Sequence, residues 1–351
     1  MPVFKNIQNA DFDQIKAQFS PTIKTIDMHT GGEPLRVVIE GAPKIEANSV
    51  LAFRQKMREE HDHFRQQIMF EPRGHADMYG LMLLPPERID SDFGVLFLHN
   101  EGYSSMCGHA TIAISKLAVM LNWVEKKAPL TTMKIDAPCG QLQAFVAIEN
   151  DEIQSVYFDN VPSFVVGLDK EVTLPNGQVL KYDLAYGGAF YAYVDAKAAG
   201  VELTADNYRQ LIEKGIEIKH AVIEQQAIKH PFEADLSFLY GVIFIDESPN
   251  ETIHSRNVCI FADGEVDRSA TGSGVSGRAA IHYARNEIKI GQSIEIESIT
   301  GSTMSVQVQS TTEFGGYSAV IPRVSGDAWI HGFSEFTMDK NDIFQNGFFL
   351  R

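Results

Sequence analysis

FLHNEGYSSMCGHATIAISKLA, residues 97–118, and CIFADGEVDRSATGSGVSGRAAIHYA, residues 259–284, decide how this chain folds. Each passes from an apolar strand through a polar loop into a glycine-bearing helix start. The runs ahead of them also correspond: ADMYGLMLL at 76–84 and ADLSFLYGVIFI at 234–245. Tyr79 lies 28 residues before Cys107 and Tyr240 lies 31 before Thr271, so the spacing nearly persists. We read this as an internal duplication. It predicts an α/β chain of two pseudo-twofold related lobes whose helix N-termini face each other across a cleft.

Outward from these stretches, IDMHTGGEPLRVVIEG (26–41) reads as strand, tight turn and strand, with Gly31, Gly32 and Pro34 supplying the turn. SVLAFRQKMREEHDHFRQQI (49–68) reads as one helix with apolar Leu51, Phe53, Met57, Phe64 and Ile68. YGLMLLPP and FGVLFLHN, bounded by Gly and Pro, suit buried strands. The segment from Gly108 to about Asn122 mixes Ile112, Leu117, Val119, Met120 and Leu121 with small residues, as a helix deep in a domain does. The terminal VSGDAWIHGFSEFTMDKND has strand character and is expected to return to the first lobe. The expected organisation is a polar, partly helical extension over 1–20, a first lobe over 21–160 plus about 328–351 carrying Cys107, and a second lobe over 161–327 carrying Thr271.

The chain has 351 residues, 44% hydrophobic and 22% charged, enough to bury a substantial core. Thirty Lys plus Arg against 46 Asp plus Glu give a net charge of -16, which repels a phosphate backbone, and no local basic patch offsets it. Nucleic acid is therefore not an expected partner. No apolar run approaches the ~20 residues a bilayer requires, and the start lacks the apolar stretch of a signal peptide, so a cytoplasmic protein without a membrane partner is expected. Cys107, Cys139 and Cys259 are odd in number and form no CxxC pair, which argues against a disulfide framework and against a zinc site.

Two constellations could carry chemistry. In Met106-Cys107-Gly108-His109 the cysteine opens a helix, where unpaired N–H groups and the helix dipole favour thiolate and are expected to lower its pKa from ~8.5. A buried cysteine acting only as a small hydrophobe is the alternative. In Asp267-Arg268-Ser269-Ala270-Thr271-Gly272-Ser273-Gly274, glycines and free N–H groups make a seat for a carboxylate, with phosphate as the rival anion. The pattern is neither a P-loop nor GxGxxG, and a plain helix cap by Ser or Thr would also account for it. Asp267 could pair with a substrate ammonium or with Arg268. His254 and Arg256 are candidates to reach the cleft from a loop. His61 and His63 point to different faces of a helix and read as solvated surface. Cys139 and Cys259 read as packing residues.

DMHTGGEPLRVV (27–38), HNEGYSSMCGHATIA (99–113), DRSATGSGVSGRAA (267–280), ESITGSTM (297–304) and VSGDAWIHG (324–332) together resemble the proline racemase family. The resemblance spans nearly the whole chain after residue 22, in the family's order. It implies a two-lobed diaminopimelate epimerase-like fold with the active site between the lobes, no cofactor, no metal, and a homodimer. The family's racemases and epimerases use two cysteine bases on opposite faces of the substrate α-carbon. The first matches Cys107. The second motif in those enzymes reads DRSPCGTG, whereas this chain has Thr271 in place of the thiol.

A Cys and Thr pair resembles the members that dehydrate trans-3-hydroxy-L-proline, because one base can remove an α-proton but cannot return it from the other side. The resemblance implies that Gly108, His109, Gly272 and Ser273 hold the substrate carboxylate, that Asp267 faces the ring nitrogen, and that Thr271 orients substrate or water. A racemase or 2-epimerase relaying protons through Thr271 is the rival reading. A non-catalytic amino-acid-binding protein is the rival from another class, and retention of the thiol argues against it.

Overall fold

The computed structural model describes residues 12–19 and 22–350. Of the expected N-terminal extension, Phe12–Lys16 forms a short helix, and residues 1–11 and 20 lie outside the described part.

Two helices organise the molecule. Gly108–Met120, the Cys107 helix, buries 11 of its 13 residues, including Ile112, Ile114 and Leu117. Gly272–Ala284, the Thr271 helix, buries every residue from Gly272 to His282. Apart from His109, Lys116, Arg278 and His282, both are apolar or small nearly all round, which a helix tolerates only when surrounded. Strands from Thr22–Thr30, Glu33–Glu40, Leu130–Ala137, Gly140–Glu149 and Glu152–Asp159 build the first half around the Cys107 helix. Strands from Ser163–Thr173, Val179–Tyr186, Thr303–Phe314 and Tyr317–Gly326 pack on the Thr271 helix. Each fully buried Ile or Leu adds about 1.5–3 kcal/mol.

The expected repeat is visible in the strand pairing. In the first half Glu33–Glu40 runs parallel to Tyr79–Leu84, which pairs antiparallel with Phe93–His99; the chain then forms the Cys107 helix and returns as Leu130–Ala137, parallel to Phe93–His99. In the second, Phe190–Asp195 runs parallel to Leu239–Asp246, which pairs antiparallel with Ser255–Phe261; the Thr271 helix follows, and Ser293–Glu297 lies parallel to Ser255–Phe261. The two sets of strands are joined into one 17-stranded network, with Tyr317–Gly326 pairing to Glu152–Asp159 and to Ser163–Thr173.

The C-terminal strand Ala328–Thr337 pairs antiparallel with Thr22–Thr30, so the end of the chain lies against the first half. Asp27 fastens this junction. It accepts from Arg36 at 3.0 and 3.2 Å and from Ser334 Oγ on the C-terminal strand at 2.8 Å. Arg36 also donates to the carbonyls of Ile68 and Arg73, tying the hairpin to the helix beneath it.

The segment 49–68 is not one helix. It divides into Val50–Glu60 and Asp62–Met69, with His61 leaving helical geometry at φ -130° and ψ 17°. Phe53, Met57, Phe64 and Ile68 are still buried, in a satellite core against Tyr79–Leu84 and Phe93–His99. The break lets each short helix set its own apolar side on the strands beneath. Among the described residues, no helix is long and apolar enough to cross a membrane.

Candidate active site

The helix starts meet glycine to glycine. A Cβ added to Gly272 would lie 2.6 Å from Gly108 Cα, closer than atoms approach, so any side chain would force the helices apart. Cys107 and Thr271 occupy the N-cap positions of these two helices. They are therefore equivalent positions of the repeat, presented from the two halves to one space. That cavity is lined by Tyr79, Met106, Cys107, Gly108, His109, Tyr191, Tyr240, Phe261, Asp267, Thr271, Gly272 and Ser273. All seven site residues expected from sequence lie on it. Its volume is ≈ 20 Å³, room for a water or so and less than a ring amino acid occupies.

Cys107 has extended backbone geometry and its Sγ accepts the Ala110 N–H at 3.4 Å. His109 Nδ1 lies 3.2 Å from the same sulfur. The expected lowering of the thiol pKa does not hold in this closed state. Burial pushes the Cys107 thiol well up, and the helix-start N–H, which does pull it down, is outweighed. Burial also holds the His109 imidazole neutral, with a pKa of about 3. Its ring meets the edge of Tyr79 at 4.8 Å. The Tyr79 hydroxyl bonds to Ser104 Oγ.

On the other wall, Thr271 sits at φ 66° and ψ 91°, a strained conformation for a β-branched residue, and its hydroxyl makes no cap bond. It donates instead to Asp267 Oδ2 at 2.8 Å. Asp267 Oδ1 accepts the Ser269 N–H at 2.7 Å. Burial raises the Asp267 carboxyl, against the pull of those two donors. Arg268 is engaged elsewhere, with Asp77 at 2.8 Å and the Val266 carbonyl at 2.9 Å, so of the two partners left open for Asp267 its neighbour is already occupied. Ser273 Oγ bonds to the Tyr191 hydroxyl at 2.8 Å. The first N–H groups of both helices, at Gly108 and His109 and at Gly272 and Ser273, start without an intrahelical acceptor and converge on the cavity.

His254 and Arg256 do not reach the cavity. Arg256 binds Glu297 and the Leu203 carbonyl, and His254 packs edge-on against His282 with its Nδ1 on Ser255 Oγ. His254 is taken up by the network of Arg278, Ser255 and His282, and Arg256 by Glu297, which sequence spacing does not reveal. His61 is half-buried and His63 exposed, away from the cavity. Cys259 is wholly buried in the core and Cys139 packs partly buried against it.

Tyr79, Met106, Tyr191, Tyr240 and Phe261 were not anticipated as lining residues. Tyr79 and Tyr240 carried a signal: they stand at matching places in the repeat, each at the beginning of the first strand of the antiparallel pair that leads to the helix, and matching places face the shared cleft. Glu33 was also missed. Its Oε2 accepts the Arg268 N–H at 2.7 Å, its Oε1 is buried without a partner, and burial raises its carboxyl well above the usual range, helped by neighbouring Asp267.

Comparison with known proteins agrees with this arrangement. The profile of the family described as Proline racemase matches residues 25–349. The trans-3-hydroxy-L-proline dehydratase of Colwellia psychrerythraea is 48% identical over 99% of this chain and 99% of its own. The 3-hydroxyproline 2-epimerase of Burkholderia multivorans is 41% identical over 95% of this chain and 100% of its own. The crystal structure of a hydroxyproline epimerase from Agrobacterium vitis, with bound trans-4-hydroxy-L-proline, superimposes with a TM-score of 0.88 at 29% identity, covering 94% of this chain and 96% of that one. With its fold, its paired helix starts and a profile match running from residue 25 to residue 349, the chain belongs to the proline racemase family.

Proposed function

We propose that this chain dehydrates trans-3-hydroxy-L-proline to Δ1-pyrroline-2-carboxylate and water, with Cys107 as the single general base. The observation that carries this reading is the asymmetry of the cavity. Equivalent positions of the repeat present a thiol on one wall and, on the other, an alcohol tied to Asp267.

In trans-3-hydroxy-L-proline the α-hydrogen and the 3-hydroxyl lie on the same ring face, so one base reaches both. Cys107 thiolate takes the α-proton: the Cα–H bond breaks and an S–H bond forms. The released electron pair makes the Cα–C3 double bond as the C3–O bond breaks. The S–H proton goes to the departing hydroxide, giving water and restoring the thiolate. The enamine then tautomerises to the cyclic imine. No electron acceptor is required.

Helix-start N–H groups of Gly108, His109, Gly272 and Ser273 would hold the carboxylate, where charge develops as the α-proton leaves, and act most strongly in a closed, dry cleft. Asp267 would face the ring ammonium. That cation, brought beside the buried sulfur, favours thiolate and offsets the burial that keeps the empty site protonated. The neutral His109 ring at 3.2 Å would orient the sulfur.

The Thr271–Asp267 bond also favours a second reading, a 2-epimerase in which Asp267 and the hydroxyl relay a proton from the opposite face. Incubation of the pure protein with trans-3-hydroxy-L-proline in heavy water separates the two. A dehydratase yields pyrroline carboxylate; an epimerase yields inverted amino acid with deuterium at Cα.

The division into lobes, 21–160 with about 328–351 and 161–327, belongs to the same reading and is supported by the C-terminal strand lying on Thr22–Thr30. So do a cytoplasmic location, supported by three free cysteines, and a homodimer, expected from the family.

A further inference from the structure

We propose that His99, Glu101 and Glu265 form a binding site for a divalent cation of the Mn2+ class, which ties the two halves of the molecule together behind the catalytic cavity. His99 Nδ1 and one carboxylate oxygen from each glutamate lie within 4.8 Å of one another. His99 Nδ1 is 3.1 Å from Glu265 Oε1 and 4.0 Å from Glu101 Oε2. Ligands about 2.1 Å from a six-coordinate ion lie about 3 Å apart at right angles and about 4 Å apart across it. The two spacings from Nδ1 are those of donors around one ion.

The chemistry of the three groups also asks for a positive charge between them. Nδ1 lies 3.3 Å from the Glu101 backbone nitrogen and 3.1 Å from Glu265 Oε1; with the ring proton on Nε2, its one lone pair is the donor an ion would take over from the Glu101 N–H. Glu265 is wholly buried, and its Oε2 has no hydrogen-bond partner; neither has the buried Oε2 of Glu101. Two buried carboxyl groups with unmatched oxygens either share a proton between them or take up a cation in its place.

The basic side chains nearby make their hydrogen bonds elsewhere. Arg65 binds Asp62 at 2.7 and 2.8 Å and the His99 carbonyl at 3.0 Å. Arg54 binds Asp235 at 2.5 Å and the Tyr103 carbonyl at 2.8 Å, and Lys219 binds the Ala262 carbonyl. A cavity of ≈ 580 Å³ lined by these residues, Glu101 and Asp263 gives an ion a way in. Neutral imidazole with two carboxylates and room for water is a donor set for Mn2+.

The site is distinct from the catalytic cavity. The His99 ring stacks on Tyr79 at 6.0 Å and meets Tyr240 edge-on at 5.9 Å, and those two rings form the cavity wall between them. Glu101 lies on the loop entering the Cys107 helix and Glu265 just before the loop entering the Thr271 helix. An ion held by both would resist their separation.

The test is Mn2+ titration of the full chain after chelator treatment, with free Mn2+ read by electron paramagnetic resonance. Mn2+ is preferred to Zn2+ because the Cys107 sulfur and His109 would compete for the softer ion. The proposal expects one Mn2+ per chain, with affinity reduced more than about 10-fold by Glu101→Gln and by Glu265→Gln and unchanged in Cys107→Ser. Glu101 is on the rim of the open cavity, so its variant reads the site even if the wholly buried Glu265→Gln does not fold. Absence of a stoichiometric site, survival of the site in Glu101→Gln, or its loss in Cys107→Ser would overturn the proposal. None of these outcomes depends on the dehydratase reading, which is judged by product.

Discussion

Thr271 gives its hydroxyl hydrogen to Asp267 Oδ2 at 2.8 Å, from a backbone conformation that β-branched residues rarely adopt. The group opposite Cys107 is thus an oriented alcohol with no ionisation near neutral pH, held by a carboxyl that burial raises. Replacing it with a thiol restores a second base at the equivalent position of the repeat. Thr271→Cys is predicted to introduce α-carbon inversion on proline or a hydroxyproline, seen as deuterium incorporation with loss of optical purity in heavy water. No inversion on any of these substrates would remove Thr271 from the face opposite Cys107.

The second prediction concerns pH. Burial raises the Cys107 thiol well above its ordinary range in the free, closed enzyme, and the reactive form is the thiolate. Since kcat/KM reports ionisations of the free enzyme, it is predicted to rise tenfold per pH unit through neutral pH and to level off only above the ordinary thiol pKa. The rise in kcat should end at lower pH, because the bound ammonium favours the thiolate. A kcat/KM flat from about pH 6 to pH 9 would show that Cys107 is already ionised.

Gly272 has no room for a side chain against Gly108. Gly272→Ala is predicted to cost about 1–3 kcal/mol by overpacking and, by moving one helix start about 1 Å, to reduce kcat/KM on the order of 10²-fold. A variant with unchanged stability and rate would mean that the helix starts are not held in contact.

Asp27 is predicted to act on stability and not on chemistry. Burial opposes its charge, but Arg36, Ser334 and Thr25 together hold its carboxyl below the usual range. A carboxyl depressed in the folded state stabilises above its unfolded pKa, and that contribution disappears as pH falls through the folded value. Asp27→Asn leaves Arg36 buried without its counter-charge and is predicted to cost about 3–5 kcal/mol at neutral pH. Denaturant melts at decreasing pH should show the gap from the parent closing below about pH 4. A gap independent of pH would assign the effect to packing.

Much of the fold was legible because the duplication is written in local chemistry. Each half has an apolar strand, a polar loop and a glycine at the helix start, and these features persist whatever packs around them. Cys107 and Thr271 were legible as candidates because they stand at helix starts at matching points of that repeat, and the roles of the residues around them came from the family resemblance. What escaped depends on contacts distant in sequence. The bend at His61 accompanies the separate packing of the two short helices on the strands below. Arg256 is drawn from the cleft by Glu297, 41 positions away. Tyr191 enters the cavity through its bond to Ser273, 82 residues on. The raised thiol was missed for a different reason: helix position is read from the motif, but burial on all sides is a property of the closed pair of halves.

Cys107→Ser is the most direct test of the single-base account, read as the initial rate of pyrroline carboxylate formation from trans-3-hydroxy-L-proline at saturating substrate. Serine keeps the shape of the side chain while removing the accessible ionisation. The account predicts a fall of about 10²–10⁴-fold with the melting temperature little changed. A rate within a few-fold of the parent would contradict it.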